Sequence, residues 1–250
     1  MEQITSRKNA YIRHVRELAA SSEYRRECGE YLCDGMKNLQ EALQFHASIS
    51  SILWKEEAAD LPRLLPEPQY LAPADLFDYA SPMVNSRGPL FTVRIQSCGK
   101  PGKLSKAMVL EGVQDPGNVG TVIRSANAFG VDAVILTDGC ADLYHPKTVR
   151  ATMGAIFRQT VLHMDLAQLG SFLADQGLPL YGAALAHDAV DIRKLDVRHA
   201  AVAVGSEGQG LSEELLALCE KKLIIPMQPF SESLNAAVAA SVIMWEQSLS

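Results

Sequence analysis

From Ala107 to the end, the chain repeats one pattern: a short apolar run, a helix-length stretch, then another apolar run. The runs are Met108–Leu110, Ala133–Leu136, Leu180–Ala184, Ala201–Val204 and Leu223–Ile225, with Gln159–Leu162 as a more polar member. A strand that is apolar on both faces has no side to show to water. Such strands belong in a parallel sheet whose two faces are covered by the intervening helices. The helices have their own signals. Asn118–Phe129 is closed by Gly130, a helix begins near Pro146, and Asp165 opens one that Gly177 ends. The last begins at about Leu234 and is so rich in Ala and Val that close packing is expected of it.

The first hundred residues read differently. A helix is expected over residues 3–20, with Ile4, Tyr11, Ile12, Val15 and Leu18 on a partial apolar face. A short strand from Glu30 follows, and Asp34 is placed to cap a helix that runs to about Phe45. Strands at Ile49–Trp54, Tyr70–Ala72 and Phe91–Ile95, and a short helix over Pro73–Tyr79, complete a small α/β unit, interrupted by a segment carrying Pro62, Pro66 and Pro68. Gln96–Ser105 is polar and turn-rich. The organisation expected is therefore residues 1–96, a linker at 97–105, and residues 106–250.

At 250 residues, 48% hydrophobic and 21% charged, the chain has room for two proper cores. No apolar run approaches the roughly 18–20 residues of a membrane span. The opening MEQITSRKNAYIRHVREL has no apolar signal core, so a cytoplasmic protein with no membrane partner is expected. Five scattered cysteines include no CxxC pair, which points to reduced thiols; neither a disulfide framework nor a metal site is expected. A net charge of −6 argues against a sequence-blind nucleic-acid binder. The local distribution is another matter, since Arg7, Lys8, Arg13, Arg16, Arg25 and Arg26 cluster near the start, interleaved with Glu17, Glu23 and Glu27. That is either a solvated helix face or a phosphate-contacting one.

Three segments carry polar residues at strand ends, where open α/β sheets bind ligands. The first, LEGVQDPGNVGTVIRSANAFG, makes a turn at Asp115-Pro116-Gly117, sets Asn118 at a helix entrance as N-cap or site residue, and places Arg124 in an otherwise small and apolar helix. The second, VGSEGQGL, holds one charge, Glu207, in a glycine loop. Its order is not the dinucleotide fingerprint G-x-G-x-x-G, and no lysine follows as in a Walker A loop. The third runs from Ile225-Pro226-Met227 to Ser233-Leu234-Asn235, where Ser233 and Asn235 can cap the last helix.

In combination and order, DPGNVGTVIRSANAFG, VGSEGQGLSEELL and IIPM…ESLNAAVAAS resemble the three motifs of the SpoU-type (TrmH-like) RNA ribose 2′-O-methyltransferases of the SPOUT superfamily. HPKTVRATMGAIF resembles the family's middle segment, with Thr152 where serine is frequent, and the N-terminal stretch resembles its L30-like substrate-binding domain. The resemblance implies an α/β fold whose C-terminal domain is a parallel sheet with a deep trefoil knot. It implies a homodimer that binds S-adenosylmethionine and methylates a ribose 2′-hydroxyl of RNA, ribosomal or transfer, with DNA excluded. Carried over by motif, Arg124, Glu207, Asn118, Ser233 and Asn235 are the catalytic set, and Gly205, Ile225, Met227 and Leu234 hold the cofactor. Arg7, Lys8, Arg13, Arg25, Arg26 and Arg150 face the RNA.

The family's arginine is often taken as the general base. A guanidinium has a pKa above ~12 and only donors, so Arg124 suits a phosphate or a developing oxyanion better. The third-motif loop departs from the family at Pro229-Phe230, where glycine is common. Two other readings compete: a catalytically silent RNA-binding assembly factor of the same fold, and an unrelated Rossmann-type nucleotide enzyme.

Overall fold

A computed structural model describes residues 1–56, 68–96, 99, 101–229 and 233–249. The Pro62–Pro66 stretch, Cys98 and Lys100 of the expected linker, and Phe230 of the third-motif loop lie outside these residues. The chain divides into two compact units, Met1–Ser97 with Asp142–Phe157, and Cys98–Ala141 with Arg158–Ser250. The segment HPKTVRATMGAIF, expected within the C-terminal domain, therefore packs with the N-terminal residues.

The first unit contains β1 (Glu2–Gln3), α1 (Ala10–Ala20), α2 (Ser22–Cys28), β2 (Glu30–Asp34), α3 (Met36–Gln44), β3 (Ile49–Lys55), β4 (Gln69–Ala72), α4 (Ala74–Ala80) and β5 (Leu90–Arg94). Its sheet runs β1-β4-β3-β5-β2, parallel at β1/β4 and β3/β4, and antiparallel at β3/β5 and β2/β5. The helix expected from residue 3 begins at Ala10, because Asn9 accepts from the Tyr11 N–H and caps it there. The residues before it add the short edge strand instead. Asp34 does not cap α3 either. Gly35 is the N-cap, and the Asp34 carboxylate accepts from Ser86 Oγ at 2.7 Å. Burial raises the Asp34 pKa, against the lowering effects of that bond and of Arg150.

The second unit contains β6 (Ala107–Leu110), α5 (Pro116–Ala128) and β7 (Ala133–Leu136) before the chain leaves it. The excursion into the first unit carries α6 (Pro146–Ala151). The second unit resumes with β8 (Thr160–His163), α7 (Leu166–Gln176), β9 (Leu180–Ala183), β10 (Val190–Asp191), β11 (Ala201–Val204), α8 (Glu213–Leu218), β12 (Lys221–Ile224) and α9 (Ala236–Ser248). All pairings in the sheet β10-β12-β9-β11-β6-β7-β8 are parallel. Every residue of β6, β7 and β11 is buried, which is why these runs carry no polar alternation. Asp165 and Gln168 form a capping box on α7, and Gly177 ends it at φ 64°, as the local residues dictate.

Candidate active site

Three neighbouring strands, β12, β9 and β11, release their carboxyl ends toward one cavity of about 520 Å³. Its walls are Ala183–Leu185 after β9, the loop Gly205–Leu211 after β11, Ile225 and Met227 after β12, and Ser233, Leu234, Ala236 and Ala239 at the entry to α9. The size is that of a drug-sized or cofactor-sized ligand, and the place is the strand-end crevice where open parallel sheets bind ligands. All four expected cofactor residues, Gly205, Ile225, Met227 and Leu234, line it.

The glycine loop is built tightly. A Cβ on Gly205 would collide with the carbonyl of Gly210 and lie 2.6 Å from the Leu211 nitrogen, so no side chain fits there. The loop folds back on its own start, with Ser206 and Gly210 bridged and Gly210 at φ 69°. Among the described residues of the lining, Glu207 is the one charged side chain. Apolar walls, glycine backbone and the Glu207 carboxylate suit a ligand with positive charge. A dinucleotide pyrophosphate would find no cation among the described lining residues, which counts against the nucleotide-enzyme reading.

At the rim, three of the five side chains expected to act together meet, Asn118, Glu207 and Asn235. Glu207 Oε1 accepts from Asn118 Nδ2 at 2.6 Å, Asn235 Nδ2 at 3.0 Å and the Ala236 N–H at 3.2 Å. Asn235 Nδ2 also donates to Asn118 Oδ1 at 3.1 Å, while Asn235 Oδ1 caps α9 through the N–H groups of Ala237 and Val238. Asn118 is free for this because it is not the N-cap of α5. Asp115 takes that place, accepting from the Asn118 N–H at 2.9 Å, with Pro116 in the first turn. Residues from three separate motifs thus share one carboxylate oxygen. Ser233 is exposed and lines the cavity without joining this cluster.

Arg124 stands apart. It is exposed on α5, lines neither the cavity nor the cluster, and has no hydrogen-bond or ion-pair partner among the described residues. Among the described residues, no cysteine lines the cavity. Nearby, burial pushes the Cys219 thiol up to about 11, helped by Glu111 and opposed by Lys222, so it is no nucleophile at neutral pH.

The expected RNA-facing residues all belong to the first unit, where they divide. Arg7, Lys8, Arg13, Arg26 and Arg150 are exposed. Arg7 and Arg16 both lie over the ring of Tyr79, at 4.4 and 4.0 Å from its centroid. Arg25 is a correction. It is 2% exposed, donates from Nε to Asp142 Oδ2 at 3.1 Å and from Nη1 to the Leu18 carbonyl at 2.6 Å, and cannot face a ligand. Sequence reasoning missed Tyr79 and Glu111, the latter a carboxylate bound to Ser212. Neither has a local signal, because the partners are far away in sequence.

The family model described as the SpoU rRNA methylase family matches residues 105–245. A similar protein from Bacillus subtilis (strain 168), the 23S rRNA (guanosine(2553)-2′-O)-methyltransferase RlmP, is 33% identical over 250 residues, spanning 98% of both chains. Among solved structures, an RNA methyltransferase of the TrmH family from Porphyromonas gingivalis superposes with a TM-score of 0.82 at 29% identity, over 96% of this chain and 97% of that one. An AdoMet-bound rRNA methyltransferase from Sinorhizobium meliloti shares the fold at a TM-score of 0.88 and 23% identity, over 98% and 97% of the two chains.

Proposed function

Because the chain belongs to the SpoU rRNA methylase family and is an RNA methyltransferase, we propose that it methylates a ribose 2′-hydroxyl of structured ribosomal RNA, with S-adenosylmethionine as donor. The observation that carries the site assignment is the convergence of Asn118, Glu207 and Asn235 on one carboxylate oxygen at the mouth of a cavity lined by Gly205, Ile225, Met227 and Leu234. Full-length similarity to an enzyme named for 23S rRNA favours a ribosomal target over transfer RNA.

The bound cofactor would supply an electrophilic methyl group on a sulfonium, and the cavity's residues fit it. Glycine backbone and apolar walls exclude water, and Glu207 is the charge complementary to a cationic ligand. The protein's work is then alignment, an effect worth roughly 7–11 kcal/mol at best. Asn118 and Asn235 hold one oxygen of Glu207, which leaves its other oxygen to accept from a substrate hydroxyl. Ser233 stands where it can contact the ribose or the cofactor. Arg124, exposed and unpaired, is assigned to the phosphate beside the target ribose and to the charge that builds on the 2′-oxygen.

In the same reading the first unit is the L30-like substrate-binding domain, with Arg7, Lys8, Arg13, Arg26 and Arg150 as its RNA face. The C-terminal passage through β12 and α9 is a deep trefoil knot, and the working molecule is a homodimer. The 2′-hydroxyl as acceptor leaves DNA outside the substrate range.

The test is to map 2′-O-methyl sites in total RNA from cells with and without the gene. Loss of one ribosomal site is expected; cofactor binding with no site lost in any RNA would revive the silent assembly factor. For Arg124, Arg124→Lys is expected to lower turnover at least about tenfold and weaken RNA binding, because lysine loses the bidentate fork. Near-normal turnover with intact RNA affinity would end the phosphate assignment, and a shifted pH–rate profile with unchanged binding would favour a base.

A further inference from the structure

We infer that Glu111, which borders neither the cavity nor the rim cluster, is a positioning residue for cofactor binding: it clamps the far end of the glycine loop through Ser212. The inference rests on reading the Gly205 cavity as the S-adenosylmethionine site. Glu111 is the first residue beyond β6, and its N–H donates to the Val204 carbonyl at 3.0 Å, so it is fixed to the strand from which the loop departs. Its carboxylate takes both donors of one residue. Oε2 accepts from the Ser212 N–H at 2.8 Å and Oε1 from Ser212 Oγ at 2.6 Å. Only a carboxylate offers two acceptor oxygens to such a pair; an amide would turn its NH2 toward one of the donors.

Ser212 directly follows Gly210 and Leu211, which line the cavity. The loop has no slack between its ends, since the Gly210 carbonyl and the Leu211 nitrogen already occupy the space beside Gly205. A displacement at Ser212 therefore reaches Gly205, and with it the backbone that faces the cofactor. The first motif grips the loop again at its middle through Asn118 and Glu207. Ser212 Oγ also caps α8 by accepting from the Leu215 N–H at 3.1 Å. A plain helix cap would show in stability alone, whereas a positioning clamp shows in cofactor affinity.

The experiment is calorimetric titration of the full-length protein with S-adenosylmethionine, with thermal unfolding measured in parallel, for wild type, Glu111→Gln, Ser212→Ala, Ser212→Thr and the double variant E111Q/S212A. Loss of a charge-assisted bond should weaken binding about tenfold in Glu111→Gln and Ser212→Ala. Ser212→Thr, which keeps the hydroxyl, should bind within about twofold of wild type, and the double variant should be no weaker than the worse single one. Folded Glu111→Gln and Ser212→Ala binding as tightly as wild type, whatever their melting temperatures, would overturn the inference, as would additive losses. A wild-type protein that binds no S-adenosylmethionine would instead overturn the cofactor reading, and the clamp with it.

Discussion

Arg25 and Arg26 are neighbours in sequence with opposite environments. Arg26 is exposed, while Arg25 is buried with its guanidinium bonded to Asp142 and to the Leu18 carbonyl. A buried cation that loses its carboxylate is costly. Asp142→Ala is therefore expected to destabilise the protein by about 3–5 kcal/mol in urea unfolding. Arg26→Ala should stay within about 0.5 kcal/mol of wild type in stability and lower RNA affinity instead. Similar stability losses in the two would show that the pair is not the anchor described. The contrast shows the limit of reading single residues. Six basic side chains look alike in sequence, and only long-range packing separates the buried one. Asn118 makes the same point in reverse: helix-start preferences allow Asp115 or Asn118 as cap, and the choice of Asp115 is what leaves Asn118 for Glu207.

At the scale of elements, legibility followed burial. β7 and β11 lie where their apolar runs ended, because a strand buried on both faces is recorded in every residue. The two-residue edge strands β1 and β10 left no periodicity to read, and the helix expected to begin at residue 3 was displaced by a cap at Asn9. The placement of Asp142–Phe157 with the first unit was invisible, since it depends on pairs such as Arg25–Asp142 and Tyr31–Tyr144, far apart in sequence.

Elements also need anchors, and β6 has one. Asp132 Oδ2 accepts from the N–H groups of Ser105 and Lys106 at 2.7 and 2.9 Å and from Ser105 Oγ at 2.8 Å, tying the entry of β6 to that of β7. Burial pushes this carboxyl up, but the two backbone donors, the hydroxyl and Lys106 outweigh it and hold its pKa below the ordinary 3.8. A depressed folded pKa stabilises above the unfolded value, and the contribution is lost as pH falls through the folded one. Asp132→Asn should therefore cost about 1 kcal/mol at pH 7, discounted for solvent exposure. The gap from wild type should narrow as pH drops below about 4. A gap independent of pH between 7 and 3 would mean that the charge contributes nothing.

At the scale of the whole molecule, α9 poses the remaining problem. Its inner face buries Ala236, Ala237, Ala240, Ile243 and Met244, yet Val238, Val242 and Trp245 stay 49%, 38% and 54% exposed along the opposite side. A helix apolar on both faces is expected to be covered on both. Each of these half-exposed side chains forgoes about half of the roughly 1.5–3 kcal/mol that full burial contributes. With Asn118, Thr121, Asn235 and Ser241, these residues line a second concavity of about 410 Å³ that shares Asn118 and Asn235 with the rim cluster. The homodimer proposed above supplies a cover of matching chemistry, since a second copy brings the same apolar ridge about a twofold axis. Because the ridge adjoins Asn118 and Asn235, losing the partner should loosen the site as well as the assembly. Val242→Glu combined with Trp245→Glu is expected to turn the dimer into a folded monomer in light scattering and to lower methyl transfer at least about tenfold, since unpaired like charges against an apolar interface cost several kcal/mol. A variant that stays dimeric would place the interface elsewhere. One that becomes monomeric with full activity would separate assembly from catalysis and leave the rim cluster sufficient within a single chain.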